Sequence, residues 1–109
     1  MAYSEELAER IRDAIGDRPG VQERKMFGGV AWMVNGNMAV GVIGEDLMVR
    51  LERGEAEQAM AEEHVGPMEF TGRPLGGFIL VDAAGIAEDP ELGRWVDAGA
   101  DHAETLPPK

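Results

Sequence analysis

The 109 residues predict an α+β domain of two layers, an antiparallel sheet with helices on one face, in the order α-β-β-β-(β)-α-β-β-α. Three observations predict it. Asn35-Gly36 separates two apolar runs, Val30 to Val34 and Asn37 to Ile43, and both central positions of a type I′ hairpin turn need the positive φ that Asn and Gly tolerate. Capped amphipathic segments open near Ser4 and near Asp89, on either side of the extended ones. The extended segments follow one another at hairpin spacing, which pairs them antiparallel. A single domain over residues 1–109 is expected, with 105–109 a flexible tail.

The first helix covers "SEELAERIRDAIG". Ser4 is the N-cap, Glu5 and Glu6 suit the positive first turn, and Leu7, Ile11, Ala14 and Ile15 make one apolar stripe. Gly16 stops it, and Pro19-Gly20 turns the chain. "VQERKMF" reads as a charged strand near an edge, and Gly28-Gly29 as a break or bulge after it. The Asn35-Gly36 hairpin follows, then a second turn at Gly44-Glu45, where a leading Gly suits type II′. "RGEAEQAMAEEH" reads as a short helix with Ala56, Ala59 and Met60 inward, ended by Gly66-Pro67. "MEFTGRPLGGFILVD" is an extended segment, a Gly/Pro loop and a buried strand from Phe78 to Val81. Asp89 as N-cap, with Pro90 at the first helical position, opens the last helix, whose inner stripe is Leu92, Trp95, Val96 and Gly99.

The hairpin turn sets a register in which Val34 faces Asn37, Met33 faces Met38, Trp32 faces Ala39 and Ala31 faces Val40. The second turn sets Val42 against Leu47, Val40 against Val49 and Met38 against Leu51. One face then collects Ala31, Met33, Met38, Val40, Val42, Leu47, Val49 and Leu51, an apolar core face. The other collects Val30, Trp32, Val34, Ala39, Gly41, Met48, Arg50 and Glu52, a mixed face centred on Trp32.

Composition removes several classes of chemistry. There are no cysteines, so disulfides, thiolate nucleophiles and cysteine-held metals are excluded, and a reducing cytoplasm is the expected compartment. Neither a secretory leader nor an apolar run of about 20 residues is visible, so no membrane partner is expected. The net charge is −11, from 10 basic and 21 acidic residues, and only Arg24-Lys25 are adjacent cations; the field repels phosphate backbones, so no direct nucleic-acid binding is expected.

"RKMFGGVAWMVNGNMAVGV…DLMVRL", then "PMEFTGRPLGGFILV" and a helix with a Trp, resembles the TfoX N-terminal domain (Sxy-like) family from about Arg24 to about Ala103. Two blocks carry the resemblance: Met26-Phe27-Gly28-Gly29, and Met68 to Val81 with its Gly72-Arg73-Pro74 turn. It implies an α-β-β-β-α-β-β-α two-layer fold and a link to regulators of natural competence, in which this domain precedes a second one. A stand-alone member without that C-terminal domain is expected. The resemblance supplies no catalytic residues.

The residues themselves supply few. Ser4, the one serine, is accounted for by capping, with no histidine set against it. Asp97, Asp101, His102 and Glu104 read as a solvated last turn rather than a converging ligand set, because neighbours in sequence point to different faces of a helix. No catalytic residue, metal or cofactor is therefore expected. Two candidate sites remain. Gly72, Arg73, Gly76 and Gly77 offer backbone N–H groups and one guanidinium to a small anion, in an anionic-ligand binder or accessory enzyme. Val30, Trp32, Val34, Met48 and Arg50 offer a surface to a protein partner or a second copy in a homodimer, since Trp, Met and Arg are enriched at interfaces. The leading expectation is a non-enzymatic regulatory or adaptor domain that works through protein contacts.

Overall fold

The computed structural model describes residues 3–26, 28–70 and 73–108; for residues 26, 69–70 and 73–75 the description is of the backbone. Phe27, Gly72 and Lys109, which figure in the readings above, lie outside it. The elements run α1 (Glu5–Ile15), β1 (Val21–Met26), β2 (Gly29–Val34), β3 (Asn37–Ile43), β4 (Asp46–Arg50), α2 (Arg53–Ala59), β5 (Val65–Phe70), β6 (Arg73–Val81), a 3-10 turn (Ala83–Ile86) and α3 (Asp89–Thr105). The described strands form a six-stranded sheet in the order β1-β2-β3-β4-β6-β5, every neighbouring pair antiparallel. This is the predicted α+β architecture, with the optional fourth strand present before α2.

Local chemistry places the elements as expected in most cases. The Ser4 hydroxyl accepts from the Leu7 N–H at 3.1 Å, and Gly16 leaves α1 with φ of +59°. Asn35 and Gly36 both hold positive φ, as does Gly44 at the second turn. At α3 the cap is one residue earlier than predicted: Glu88 is the N-cap and Asp89 is already helical. The Asp89 carboxylate instead accepts from Arg10 at 3.0 Å, and the same guanidinium donates to the Ile86 carbonyl at 2.7 Å. One side chain thus ties α1 to the 3-10 turn and the start of α3. Met60, expected inward from α2, is exposed beyond the helix end.

The core lies between the sheet and the helices. Leu7 and Ile11 of α1, Ala56 and Ala59 of α2, and Leu92, Trp95 and Val96 of α3 pack on Val40, Val42, Leu47, Val49, Ile79 and Val81 of the sheet. Burying each of the Leu, Ile and Val side chains contributes roughly 1.5–3 kcal/mol.

The hairpin register differs from the predicted one, and the difference turns part of the sheet over. Val34 pairs with Asn37 and Met33 with Met38, as read. The register then shifts, and Trp32 pairs with Val40, Ala31 with Gly41 and Val30 with Val42. Ala39 is the extra residue of a β-bulge, so Ala39 and Val40 lie on one side of the sheet. The predicted pairs of Trp32 with Ala39 and Ala31 with Val40 are corrected accordingly. Trp32, Val30 and Val34 move to the core side, while Ala31, Met33 and Met38 move to the other. Past the second turn Val42 pairs with Leu47 and Val40 with Val49 as read, but the predicted pair of Met38 with Leu51 is lost to the bulge, and Leu51 stays in the core while Met38 turns to the other face.

The bulge packs against α3. Gly99 packs so closely on β3 that a Cβ there would lie 2.5 Å from the Ala39 carbonyl oxygen. Ala39, Ala100, Ala103 and Val34 form a small satellite cluster at this contact. The end of the hairpin is held as well: the buried Asn37 amide donates to the Pro107 carbonyl at 3.0 Å.

Candidate functional site: the open face of the sheet

The helices whose buried residues build the core all pack on the same face of the sheet. The opposite face carries the other half of each strand's side chains. On the four central strands these are Ala31 and Met33, Met38, Gly41 and Ile43, Asp46, Met48 and Arg50, and Phe78 and Leu80. Arg24 on β1 stands beside Ala31 at the edge of the same face. Met33, Met38, Ile43, Phe78 and Leu80 are partly exposed, and Arg24 is exposed.

Met48 is at the middle of this face and is only 3% exposed. Its neighbour across the strands is Gly41, where an added Cβ would meet the Met48 methyl carbon at 2.9 Å. The thioether therefore lies across the glycine and fills the hollow left by its missing side chain. Beside it the Arg50 guanidinium carbon stands 5.6 Å from the centroid of the Phe78 ring, within cation–π range. Asp46, at the end of β4, is the one acid that the described register places here, and burial, then the charges of Asp82 and Glu45, push its carboxyl above the usual range. A shallow cleft of about 560 Å³ opens at the β1–β2 corner beside Arg24, Met33 and Gln22.

The sequence-predicted contact residues divide between the two faces. Met48 and Arg50 stand on the open face. Val30, Trp32 and Val34 stand in the core, covered by this chain's own helices, and Trp32 is 1% exposed. Trp32 also touches the surface network through its edge. Its neighbour Glu23 is held below the usual carboxylate range by the Arg12 guanidinium, which donates at 2.7 and 2.8 Å, and the indole N–H adds to that shift. Met33, Met38, Phe78 and Leu80 were missed as surface candidates because the register reading put the first two in the core.

The predicted glycine loop is corrected: from Arg73 onward the chain is already strand β6, paired with β5. Gly77 is buried with φ of +85°, and its carbonyl accepts from the Leu51 N–H at 2.7 Å, so it bends β6 toward the end of β4. Gly76 lies against the Arg53 guanidinium, whose nitrogens would be 2.7 and 2.8 Å from an added Cβ. Gly72 and the Arg73 side chain lie outside the described residues. The acids of the last turn are turned toward Arg18, which pairs with Asp97 at 3.5 Å, with Asp101 at 3.0 Å and with Glu104. Among the described residues no group of three or more His, Asp or Glu side chains is arranged to hold a metal ion. Nor is any described helix long and apolar enough to cross a membrane.

The family model described as the TfoX N-terminal domain matches residues 13–103, from the last turn of α1 to the last turn of α3. The chain belongs to the TfoX N-terminal domain family. No curated protein and no solved structure matches it. The match includes every strand of the sheet, and hence the whole open face of this TfoX N-terminal domain.

Proposed function

We propose that this TfoX N-terminal domain is a non-enzymatic regulatory or adaptor module of the cytoplasm, and that it works by holding a partner protein on the open face of its sheet. The observation that carries the reading is the apolar part of that face, where Met33, Met38, Phe78 and Leu80 are partly exposed around the central strands and, among the described residues, the helices pack on the other side. Methionines suit such a surface because the thioether is flexible and polarisable and repacks against different partners. The link to competence regulators belongs to the family, and a contact module fits it: a regulator without catalytic groups acts by what it holds.

Photo-crosslinking in intact cells tests the reading. A benzophenone amino acid at Met38 is expected to give an adduct with another protein. The same group at Glu9, exposed on α1, is expected to give none. Equal labelling from both positions, or adducts from Glu9 alone, would remove the open face as the functional surface.

A further inference from the structure

We infer that the occupant of the open face is an acidic, apolar segment of a different protein rather than a second copy of this chain. The inference rests on the reading of this face as a contact surface and adds the partner's chemistry.

Charge is the first argument. The chain carries −11, with 21 acids against 10 cations, yet among the described residues the part of this face around Met48 and β1 has Arg24 and Arg50, while Asp46 and the adjoining Asp82 stand together at the far end of β4. The face is thus apolar and locally cationic on a strongly acidic molecule. Complementary potentials steer encounter and reject wrong partners. An acidic partner would be repelled by most of this domain's surface and accepted here. A nucleic acid would meet only two cations and a repulsive field elsewhere.

Geometry is the second. Arg24 pairs with Ala31, Ala31 with Gly41 and Gly41 with Met48, so β1 and β4 are three strand spacings apart, about 14 Å. The floor between the two arginine-bearing strands is Ala31 and the Met48 thioether that covers Gly41, flanked by Met33 and Met38. Its width suits one α-helix, about 10–12 Å across with side chains. Arg50 is held over Phe78, so its guanidinium is already placed beside the apolar floor. A second copy docking face to face would present Arg24 and Arg50 again rather than acids, with Asp46 and Asp82 at the far end of the face among the described residues.

Selection from a random peptide-display library on the immobilised domain tests this. Enriched peptides are expected to interleave Asp or Glu with Leu, Phe or Met. They are expected to bind at least tenfold more weakly to the Arg24→Glu/Arg50→Glu double variant and to weaken with added salt, while Glu9→Lys binds them as wild type does. The milder Arg50→Gln should lie between, and equal circular dichroism melts confirm that the variants fold. Peptides that lose binding on Met38→Asp but show no excess of acids would overturn the acidic partner and leave the contact face standing. Peptides indifferent to Met38→Asp and to the arginine reversals would overturn both. A dimer by light scattering that Met38→Asp dissolves, or a single-stranded oligonucleotide that binds through Arg24 and Arg50, would replace the proposed occupant.

Discussion

Trp32→Ala is expected to destabilise the domain by about 3–5 kcal/mol, the usual range for removing a fully buried aromatic side chain. Trp32 is among the largest fully buried side chains and is packed with Val30, Val40 and Val42 beneath the helices. Domains of this size hold roughly 5–15 kcal/mol in all, so the loss takes a large share of it. At roughly 4–8 °C per kcal/mol, Tm should fall by on the order of 15 °C or more. Met38→Ala, on the open face, should stay within about 1 kcal/mol of wild type. A thermal melt followed by circular dichroism separates the two. A Trp32→Ala chain that melts with wild type while losing a partner would return Trp32 to the surface and refute the register.

The second large effect is at Gly99. Alanine there gains about 1 kcal/mol of helix propensity. Against this, its Cβ would sit 2.5 Å from the Ala39 carbonyl oxygen and 2.8 Å from a Val40 methyl. The first of these is backbone, which cannot swing aside, and overpacking of this kind costs about 1–3 kcal/mol. The clash should win, leaving Gly99→Ala less stable and α3 pushed from the hairpin. Gly93, on the same helix, is the control: an added Cβ meets nothing within 4 Å, so Gly93→Ala keeps its gain of up to about 1 kcal/mol. Urea unfolding should show the two substitutions moving stability in opposite directions.

Turns and caps were legible because each needs a particular residue. Asn35-Gly36, Gly44, Ser4 and Gly16 announce themselves by the φ or hydrogen bond they supply. The register after the first turn was not legible. Met38 to Ile43 is apolar or glycine at every position, so a period of two leaves no mark and a one-residue bulge changes no pattern. The bulge packs on a residue sixty positions away, Gly99 against Ala39, which local reading does not reach. One signal did exist. Asn37 begins a strand otherwise apolar, and its burial against Pro107 marks the core side from the hairpin end. The candidate surface was half legible for the same reason: Met48 and Arg50 lie beyond the bulge and were read on the correct face, whereas Trp32 and Met33 lie before it and exchanged faces.

The account stands on which face of the hairpin meets water. Solvent paramagnetic relaxation, recorded on methyl-labelled methionines and on the tryptophan indole protons of the purified domain, measures this directly. The account predicts strong attenuation of the Met33 and Met38 methyl signals and weak attenuation of Met48, with the Trp32 ring protons shielded. Shielded Met33 and Met38 methyls beside an attenuated Trp32 ring would contradict it.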